Sequence, residues 1–394
     1  MRKNKLSLYI HIPFCVRKCN YCDFLSAPAD EETKEAYIQA LLLEIESYRG
    51  SELSKRKIAT VFFGGGTPSI LEAEKITRVL DKIRDVFSLE PDCEISLEMN
   101  PGTVDLEKCK RYFNAGFNRI SIGLQSPDDE LLARLGRIHT YEQFLGTYDD
   151  VRVAGFKNVN IDLMSALPGQ GIEQYCRGIE KVTMLSPEHI SAYSLIVEEG
   201  TPFFDVYHNN SDLFPDEETD RKMYERTKEI LEQYGYERYE ISNYARDGYE
   251  CKHNIVYWEC DDYLGIGLGS ASLVDEKRFK NTCDLKGYVQ AWKSGTGKTM
   301  QRMEEESLSR WAQMEEFMFL GLRMMRGVSA DEFERRFGEK LHKVYGCQIE
   351  TLMKQGLLVC DKVVGGGGEI KPEYLRLTDK GIDVSNYVFE QFLF

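Results

Sequence analysis

The sequence predicts an α/β fold, namely a partial, TIM-like (β/α)6 barrel followed by a small C-terminal winged-helix-like domain. Two observations lead to this fold class. Over the first ~200 residues, short β-rich runs alternate with longer helical patterns, which is typical of βα units around a parallel sheet. After Gly200 this alternation stops, and the end of the chain has the pattern of a helix, a β-hairpin and a terminal helix.

Six strands make up the predicted barrel. They are short runs rich in β-branched, aromatic and aliphatic residues: LSLYIHI, ATVFFGG, EISLEMN, RISIGLQ, NVNIDLM and HISAYSL. Helical patterns lie between them near residues 31–49, 70–87, 104–115, 128–135, 141–154 and 172–185. In the second helix, apolar residues from Ile70 to Phe87 recur at helical spacing, which predicts one buried face.

Polar or glycine-rich residues follow nearly every predicted strand. They occupy residues 15–22, 64–67 and 98–100, and positions Gln125 and Asp162. In (β/α) barrels the carboxyl ends of the strands build the active site. The sequence therefore predicts one functional site at the mouth of the barrel.

The sequence divides into three predicted regions. The barrel domain covers residues 1–235 and ends with an acidic amphipathic helix over 216–234, and an aromatic-rich connecting region covers 236–302. The winged-helix-like domain covers 303–394, with the GGGG run at 365–368 as the tip of its hairpin. Because the chain is acidic, we expect a structural or protein-contact role for this domain.

Composition narrows the classes of function. The net charge of -15 argues against nucleic-acid binding, which needs a basic surface. No apolar run approaches the ~20 residues of a membrane helix, and the N-terminus lacks the features of a signal peptide. We therefore expect a cytoplasmic protein that is not an integral membrane protein, with its 11 cysteines reduced.

Three cysteines, Cys15, Cys19 and Cys22, lie close together after the first strand in a C-x-x-x-C-x-x-C pattern. A structural zinc site needs four ligands, and His11 is the nearest fourth candidate. A redox C-x-x-C pair does not need Cys15. Three thiolates suit a [4Fe–4S] cluster with one iron open to the amino and carboxylate groups of S-adenosylmethionine.

These residues resemble the radical S-adenosylmethionine superfamily, of which the cysteine pattern is the hallmark. The resemblance implies that Tyr21 packs near the adenine. The segment GGGTP, from Gly64 to Pro68, resembles the superfamily's second motif, a loop whose glycines let the backbone approach the methionine amino group. A tight turn is the simpler alternative, and no Gly-Lys-Ser/Thr follows to make a phosphate loop.

The whole chain resembles the branch that contains oxygen-independent coproporphyrinogen III oxidase and the heme chaperone HemW family. The matching stretches are YIHIPFC, FFGGGTPS, GLQSPDDELLARLGRIHT, NIDLMSALPGQ and YEISNYA. The resemblance implies that residues 1–235 are a radical SAM core. It also implies a set of S-adenosylmethionine-binding residues, which are Tyr9, Gly65, Gly66, Thr67, Glu98, Gln125, Arg137 and Asp162.

Two features separate the members of this branch. The oxidase pattern continues with a fourth cysteine, whereas Asp23 and Phe24 follow Cys22 in this chain. This difference puts decarboxylase activity and a second S-adenosylmethionine molecule in doubt. The segment CKHNIVYW, from Cys251 to Trp258, resembles the H-N-x-x-Y-W heme motif of the chaperones.

His253 is the implied heme ligand, because a neutral imidazole is a good axial ligand of heme iron. Cys251 and Tyr257 are rival ligands, and Tyr257 and Trp258 offer rings to a porphyrin face. A buried histidine with hydrogen-bond partners is the simpler alternative.

The leading functional hypothesis is a heme chaperone that holds a [4Fe–4S] cluster, S-adenosylmethionine and heme and delivers heme to apo-hemoproteins, some of them in membranes. The alternatives are the oxidative decarboxylation of coproporphyrinogen III or another radical reaction. The family resemblance also implies a homodimer and a flavodoxin-type electron donor.

Overall fold

Six parallel strands, each followed by one or two helices, form the centre of the protein. The computed structural model describes residues 4–207, 210–300, 302–361 and 374–394. The strands are β1 (Lys5–Ile12), β2 (Lys57–Gly65), β3 (Ser88–Met99), β4 (Arg119–Gln125), β5 (Val159–Ser165) and β6 (His189–Ser194), each paired with the next. The helices between them are α1 (Glu31–Glu46), α2 (Ala73–Val86), α3 (Leu106–Asn114), α4 (Asp129–Arg134), α5 (Tyr141–Ala154) and α6 (Ile172–Thr183). The predicted order of βα units is confirmed.

Strands from later in the chain extend both edges of this sheet to twelve strands. After α7 (Pro202–Tyr207) and α8 (Glu217–Gln233), strands β7 (Glu237–Glu240) and β8 (Asn243–Ala245) add to the β6 edge. After helix α9 (Lys252–Trp258), β9 (Tyr263–Ile266) lies parallel to β1 and leads into the antiparallel β10 (Ala271–Val274) and β11 (Lys277–Asn281). Helices α10 (Leu285–Lys293) and α11 (Gly297–Met300) precede the edge strand β12 (Arg302–Ser307).

The predicted connecting region, 236–302, therefore supplies strands to both edges of the barrel sheet. The predicted domain boundaries stay a prediction.

The barrel strands present an apolar outer face and a polar inner face. On β4, Ile120, Ile122 and Leu124 are fully buried in the core between the sheet and the helices. The residues that alternate with them point to the other face and bond between neighbouring strands. On that face the Asn160 amide of β5 donates to the Ser121 hydroxyl of β4 at 2.8 Å. Because side chains alternate along a strand, the helices bury one face and the other face lines a polar interior.

Strand β3 begins earlier than the sequence pattern predicts. The pattern places its start at Glu94, whereas the strand begins at Ser88. Its register with β2 pairs Ile58 with Leu89 and then Thr60 with Glu94, so a bulge separates the two halves. Pro91 lies in this bulge, and the proline and its charged neighbours hide the strand signal.

The C-terminal domain has its own core around a three-stranded sheet in the order β13-β15-β14, with β13 (Val328–Ser329), β14 (Leu358–Asp361) and β15 (Tyr374–Leu377). Its helices are α12 (Arg310–Gly321), α13 (Ala330–Phe337), α14 (Leu341–Lys354), α15 (Asp379–Asp383) and α16 (Ser385–Glu390). Met318, Phe333 and Tyr345 are among its buried residues. The winged-helix-like prediction is confirmed, while the predicted hairpin tip at 365–368 lies outside the described residues.

Candidate functional site

The three cysteines lie on one pinned loop at the carboxyl end of β1. The loop is closed at its base because Cys15 N donates to Ala27 O at 3.2 Å and Ala27 N donates to Pro13 O at 3.0 Å. Within it, Cys22 N donates to Cys19 O at 3.2 Å. All three cysteines are half-buried, so their thiols lie on one ordered and accessible segment.

Contacts to the segment after α4 hold the cysteine loop over the barrel mouth. Asn20 N donates to Leu135 O at 3.0 Å, and the Asn20 amide donates to Arg134 O at 3.0 Å. The Arg17 guanidinium donates to Gly136 O at 2.8 Å. These bonds place the thiols beside the end of β4, where other predicted site residues lie.

The donor set of the loop fits an iron–sulfur cluster. Burial and the neighbouring Cys19 and Cys15 thiols raise the pKa of Cys22, so the three sulfurs lie within electrostatic range of one another. Among the described residues, no three His, Cys, Asp or Glu side chains are grouped so that they could hold a metal ion. Cysteine thiolates are the usual ligands of a [4Fe–4S] cluster, and each binds a different iron atom, so they need not converge on one point.

The glycine loop after β2 packs directly against the cysteine loop. Thr67 N donates to Phe14 O at 2.8 Å, and the Thr67 hydroxyl lies 3.4 Å from Cys15 Sγ. A Cβ on Gly66 would lie 2.6 Å from Phe14 O, and one on Gly65, whose φ is +114°, would lie 2.5 Å from the His11 ring. The glycines are therefore required by the protein's own packing, a reason beyond the approach of a cofactor that the sequence indicated.

Two carboxylates predicted from strand ends lie on the inner face of the barrel. Glu98 accepts a hydrogen bond from Gly65 N at 3.1 Å, and Asp162 accepts one from the Asn160 amide at 2.7 Å. Burial and the nearby Asp162 carboxylate raise the pKa of Glu98 to about 7. Both carboxylates keep acceptor capacity for ribose hydroxyls or an ammonium group.

Arg137 connects the cysteine loop to the ends of β3 and β4. Its guanidinium donates to the Asn100 side-chain oxygen at 2.7 Å and to Gly123 O, and one terminal nitrogen lies 3.8 Å from Cys19 Sγ. Its Nε atom is buried and has no hydrogen-bond partner among the described residues. Such a nitrogen fits the carboxylate of a ligand held between the cluster loop and the strand ends.

Gln125 ends β4 in an unusual conformation. Its φ is +72°, a left-handed value that few residues other than glycine adopt, and the register of β4 with β5 shifts at this point. Its side-chain oxygen accepts a hydrogen bond from Tyr193 OH at 3.0 Å. Strained backbone of this kind is typical of ligand-binding positions.

Asn100 belongs to this group but was absent from the predicted ligand set. Its side-chain nitrogen donates to the Thr67 hydroxyl at 2.7 Å, while its side-chain oxygen accepts from Arg137. The sequence did contain a signal for Asn100, because a polar residue directly after Met99 lies at the carboxyl end of β3, where site residues are expected. Asn100 thus joins the glycine loop to the arginine that faces Cys19.

The two predicted tyrosines lie at different depths. Tyr21, on the cysteine loop, packs beside an apolar group that includes Leu131, Leu135 and Phe203, within electrostatic range of Arg137. Tyr9 lies deeper, with its hydroxyl 3.0 Å from His11 Nδ1. His11 in turn lies 2.9 Å from Leu25 O on the cysteine loop, so Tyr9 and His11 continue the site from the mouth into the barrel interior.

The H-N-x-x-Y-W segment forms α9, which packs against the inner face of the barrel. The ring of His253 stacks on Phe62 at a centroid distance of 5.0 Å and lies 6.4 Å from the ring of Tyr9. Two carboxylate contacts hold the start of this helix, because Lys252 N and His253 N donate to Glu94 at 3.1 and 3.2 Å. The helix is thus tied to the strand that carries Glu98.

Both ring nitrogens of His253 are engaged. Nδ1 lies 2.7 Å from the Thr60 hydroxyl and Nε2 lies 2.9 Å from the Tyr257 hydroxyl, and the side chain is 1% exposed. Burial and the nearby Arg119 charge lower the pKa of His253 to about 3, so the ring is neutral. A neutral imidazole suits heme iron, but this arrangement leaves neither nitrogen open to it. His253 as a heme ligand stays a prediction.

The rival ligands are also enclosed. Cys251 is fully buried, with its sulfur 3.7 Å from Glu94 Oε1, and burial raises its pKa to about 12. The Tyr257 ring lies edge-on to Tyr263 at 4.7 Å. The candidate ligand atoms of the motif are therefore all engaged by other protein groups, while the rings of Tyr257 and Trp258 are half-buried.

Comparisons with known proteins relate this chain to known families. Residues 9–181 match the Radical SAM superfamily, and residues 308–364 match the HemN C-terminal domain. The heme chaperone HemW of Lactococcus lactis is 38% identical over 98% of this chain and 97% of its own length. That of Bacillus subtilis is 33% identical over 98% of this chain and 99% of its own.

Among solved structures, coproporphyrinogen III oxidase (HemN) from Escherichia coli superposes with a TM-score of 0.82 at 23% identity. The superposition covers 100% of this chain and 91% of that one, and at this identity it shows the fold alone.

The barrel, the cysteine loop and the superfamily match define a radical SAM protein. Within that class, the chain belongs to the heme chaperone HemW family.

Proposed function

We propose that this protein is a heme chaperone that binds heme and passes it to apo-hemoproteins. The observation that carries this proposal is the identity of 38% with the heme chaperone HemW of Lactococcus lactis over nearly the full length of both chains. The H-N-x-x-Y-W segment, with His253, lies inside the region of similarity. The sequence Cys22-Asp23-Phe24 supports the chaperone over the oxidase, because the oxidase pattern has a fourth cysteine there.

The radical SAM site supplies the second part of the proposal. Cys15, Cys19 and Cys22 would hold a [4Fe–4S] cluster, which supplies one-electron chemistry toward S-adenosylmethionine when both are bound. Arg137 would pair with the methionine carboxylate, and Glu98 and Asp162 would accept hydrogen bonds from the ribose or the ammonium group. The remaining proposed S-adenosylmethionine contacts are Tyr9, Tyr21, Gly65, Gly66, Thr67 and Gln125.

The proposed partners follow from the chaperone function. Apo-hemoproteins, including those of membranes, would receive the heme in the cytoplasm, a flavodoxin-type protein would supply electrons, and two chains would associate as a homodimer. Among the described residues, no helix has the length and apolar composition required to cross a lipid bilayer. Contact with membrane hemoproteins would therefore involve the protein surface.

A second candidate is a radical enzyme that decarboxylates the propionates of coproporphyrinogen III. The grouping of Glu98, Asp162 and Arg137 at the barrel mouth favours retained S-adenosylmethionine binding and keeps this candidate open. Conversion of coproporphyrinogen III under anaerobic reducing conditions would test it directly.

An anaerobic heme titration of the cluster-loaded protein tests the chaperone proposal. We expect a saturable Soret band near one heme per chain, weakened in His253→Ala. His342→Ala is the control, because His342 is an exposed histidine on α14, outside the motif. Equal loss in both variants would remove His253 as a specific ligand, and no saturable binding by the wild type would refute the proposal.

A further inference from the structure

Helix α9 is held at its two ends by different parts of the protein. Glu94 of the barrel accepts the backbone N–H groups at its start. Its C-terminal end and the turn after it contact the C-terminal domain, through α12 and the last turn of α13. The position of the heme motif therefore depends on a domain that carries none of the predicted cofactor ligands.

Arg336 on α13 makes several of these contacts. Its guanidinium donates to Glu259 O at 2.7 Å and to Cys260 O at 3.5 Å, and it pairs with the Asp261 carboxylate at 3.4 Å. The last carbonyls of α9 already accept hydrogen bonds from the backbone N–H groups of residues 259–261. Arg336 therefore binds the turn that follows α9, where its cation also faces the negative end of the helix dipole.

Two further arginines hold the same end. The Arg323 guanidinium lies 4.4 Å from the centre of the Trp258 ring, and Arg326 forms an ion pair with Glu259. Met324 between them packs in a small apolar cluster with Ile255 and Trp258. We call Arg323, Arg326 and Arg336 the arginine latch.

The latch holds the same short helix that carries His253. Iron coordination requires a free ring nitrogen, yet Nδ1 bonds to Thr60 of β2 and Nε2 bonds to Tyr257 of α9 itself. A shift of α9 away from Thr60 and Phe62 would free Nδ1, since Tyr257 moves with the helix. A rigid shift of this seven-residue helix would also break the bonds of Arg336 at its far end.

We propose that the arginine latch of the C-terminal domain keeps the heme motif closed, and that heme reaches His253 only after the latch releases. This inference rests on the proposed heme-binding function. Because heme would bind only the open state, its apparent affinity is lowered by the fraction of molecules that are open. Weakening the latch should therefore increase both the open population and the rate of heme capture.

Alkylation of Cys251 by iodoacetamide measures the opening without heme. Cys251 precedes His253 by two residues and is fully buried, so it reacts only when α9 moves. In Arg336→Ala we expect alkylation about tenfold faster than in the wild type, since charge-assisted hydrogen bonds contribute this much to an opening equilibrium. Arg336→Lys, which keeps the charge, should restore slower labelling.

Arg221→Ala is the matched control. Arg221 lies on α8 and its ion pair is with Glu217 of the same helix, so labelling of Cys251 should stay at the wild-type rate. Buried Cys109 on α3 reports general loss of structure, and peptide mass spectrometry separates the two cysteines. Unchanged labelling of Cys251 in Arg336→Ala, or an equal rise at Cys109, would overturn the latch.

Stopped-flow heme binding supplies the second readout. Faster heme association in Arg336→Ala, together with faster Cys251 labelling, would support the full proposal. Faster labelling with an unchanged association rate would overturn heme access through this opening while leaving the chaperone function intact. Absence of saturable heme binding in every variant would instead refute the proposed function, so the two failures are distinguishable.

Discussion

Glu94 Oε1 accepts a hydrogen bond from the backbone N–H of His253 at 3.2 Å. Four residues later on the same face of β3, Glu98 accepts a hydrogen bond from Gly65 N at the barrel mouth. One strand therefore carries a carboxylate for the proposed heme motif and another for the proposed cofactor site. The two sites share the polar interior of the barrel and lie on a common rigid element.

Replacement of Glu94 should loosen α9. Glu94→Gln removes the charge that faces two backbone N–H groups at the start of the helix, and we expect the free energy of unfolding to fall by about 1–2 kcal/mol. Urea denaturation measures this change. Glu229→Gln, at an exposed site within α8, is the control, and equal effects of both substitutions would contradict the capping role.

Removal of one thiol should abolish the iron–sulfur cluster. Cys19→Ser leaves two ligands on the loop, so we expect the reconstituted variant to lose its four irons and four sulfides per chain, while its circular dichroism spectrum is retained. Cys283→Ser, at an exposed position outside the loop, should keep the full cluster. Full iron and sulfide content in the Cys19 variant would show that Cys19 is not a ligand.

The glycine loop offers a comparison of two glycines. A methyl group on Gly66 would lie 2.6 Å from Phe14 O, next to Cys15, so Gly66→Ala should cost about 1–3 kcal/mol and lower the cluster content. Gly146 lies on an exposed turn of α5, where an added methyl group would meet nothing within 4 Å, and Gly146→Ala should stabilise the protein by about 0.5–1 kcal/mol. Urea midpoints and iron content check both, and equal stability changes would contradict the packing argument.

The alternation of apolar and polar residues within single strands predicted which side chains at the strand ends face the barrel interior. Runs such as EISLEMN and NVNIDLM place Glu98 and Asp162 opposite the apolar face, so their inward direction is visible in the sequence. The C-x-x-x-C-x-x-C pattern also lies within eight consecutive residues, so it can be recognised without knowledge of distant contacts. These features led to the correct fold class and to the grouping of residues at the barrel mouth.

Other relationships depend on contacts between distant parts of the chain. Thr60 and His253 are 193 residues apart, and no spacing rule connects them. The same holds for Arg336 and the turn after α9, which lie 77 residues apart in the chain. The motif and the alternative of a buried, hydrogen-bonded histidine were therefore visible in the sequence, whereas the partners that hold His253 were not.

The buried carboxyl of Glu98 should make stability depend on pH. Burial and Asp162 raise its pKa from 4.5 to about 7, so the folded chain binds this proton more tightly than the unfolded chain. The free energy of unfolding should therefore fall as pH rises from 4.5 to 7 and then stay level. Glu98→Gln should flatten this dependence and, at pH 8, be more stable by up to about 3 kcal/mol. Urea titrations of the cluster-free protein between pH 4.5 and pH 8 measure both chains, and an unchanged pH profile would show that Glu98 is not responsible.

Arg137 should control the affinity for S-adenosylmethionine. Its planar guanidinium bonds to Asn100 and Gly123 at the same time as it faces Cys19, and its buried Nε is left for a ligand. Lysine carries the same charge but lacks the planar group with several N–H donors. Arg137→Lys should therefore raise the dissociation constant for S-adenosylmethionine about tenfold, equal to 1.4 kcal/mol, while the cluster is retained. Equilibrium dialysis with labelled S-adenosylmethionine on the cluster-loaded protein measures this. Arg111→Lys, at an exposed ion pair on α3, should leave the affinity unchanged, and wild-type affinity in the Arg137 variant would remove this residue from the site.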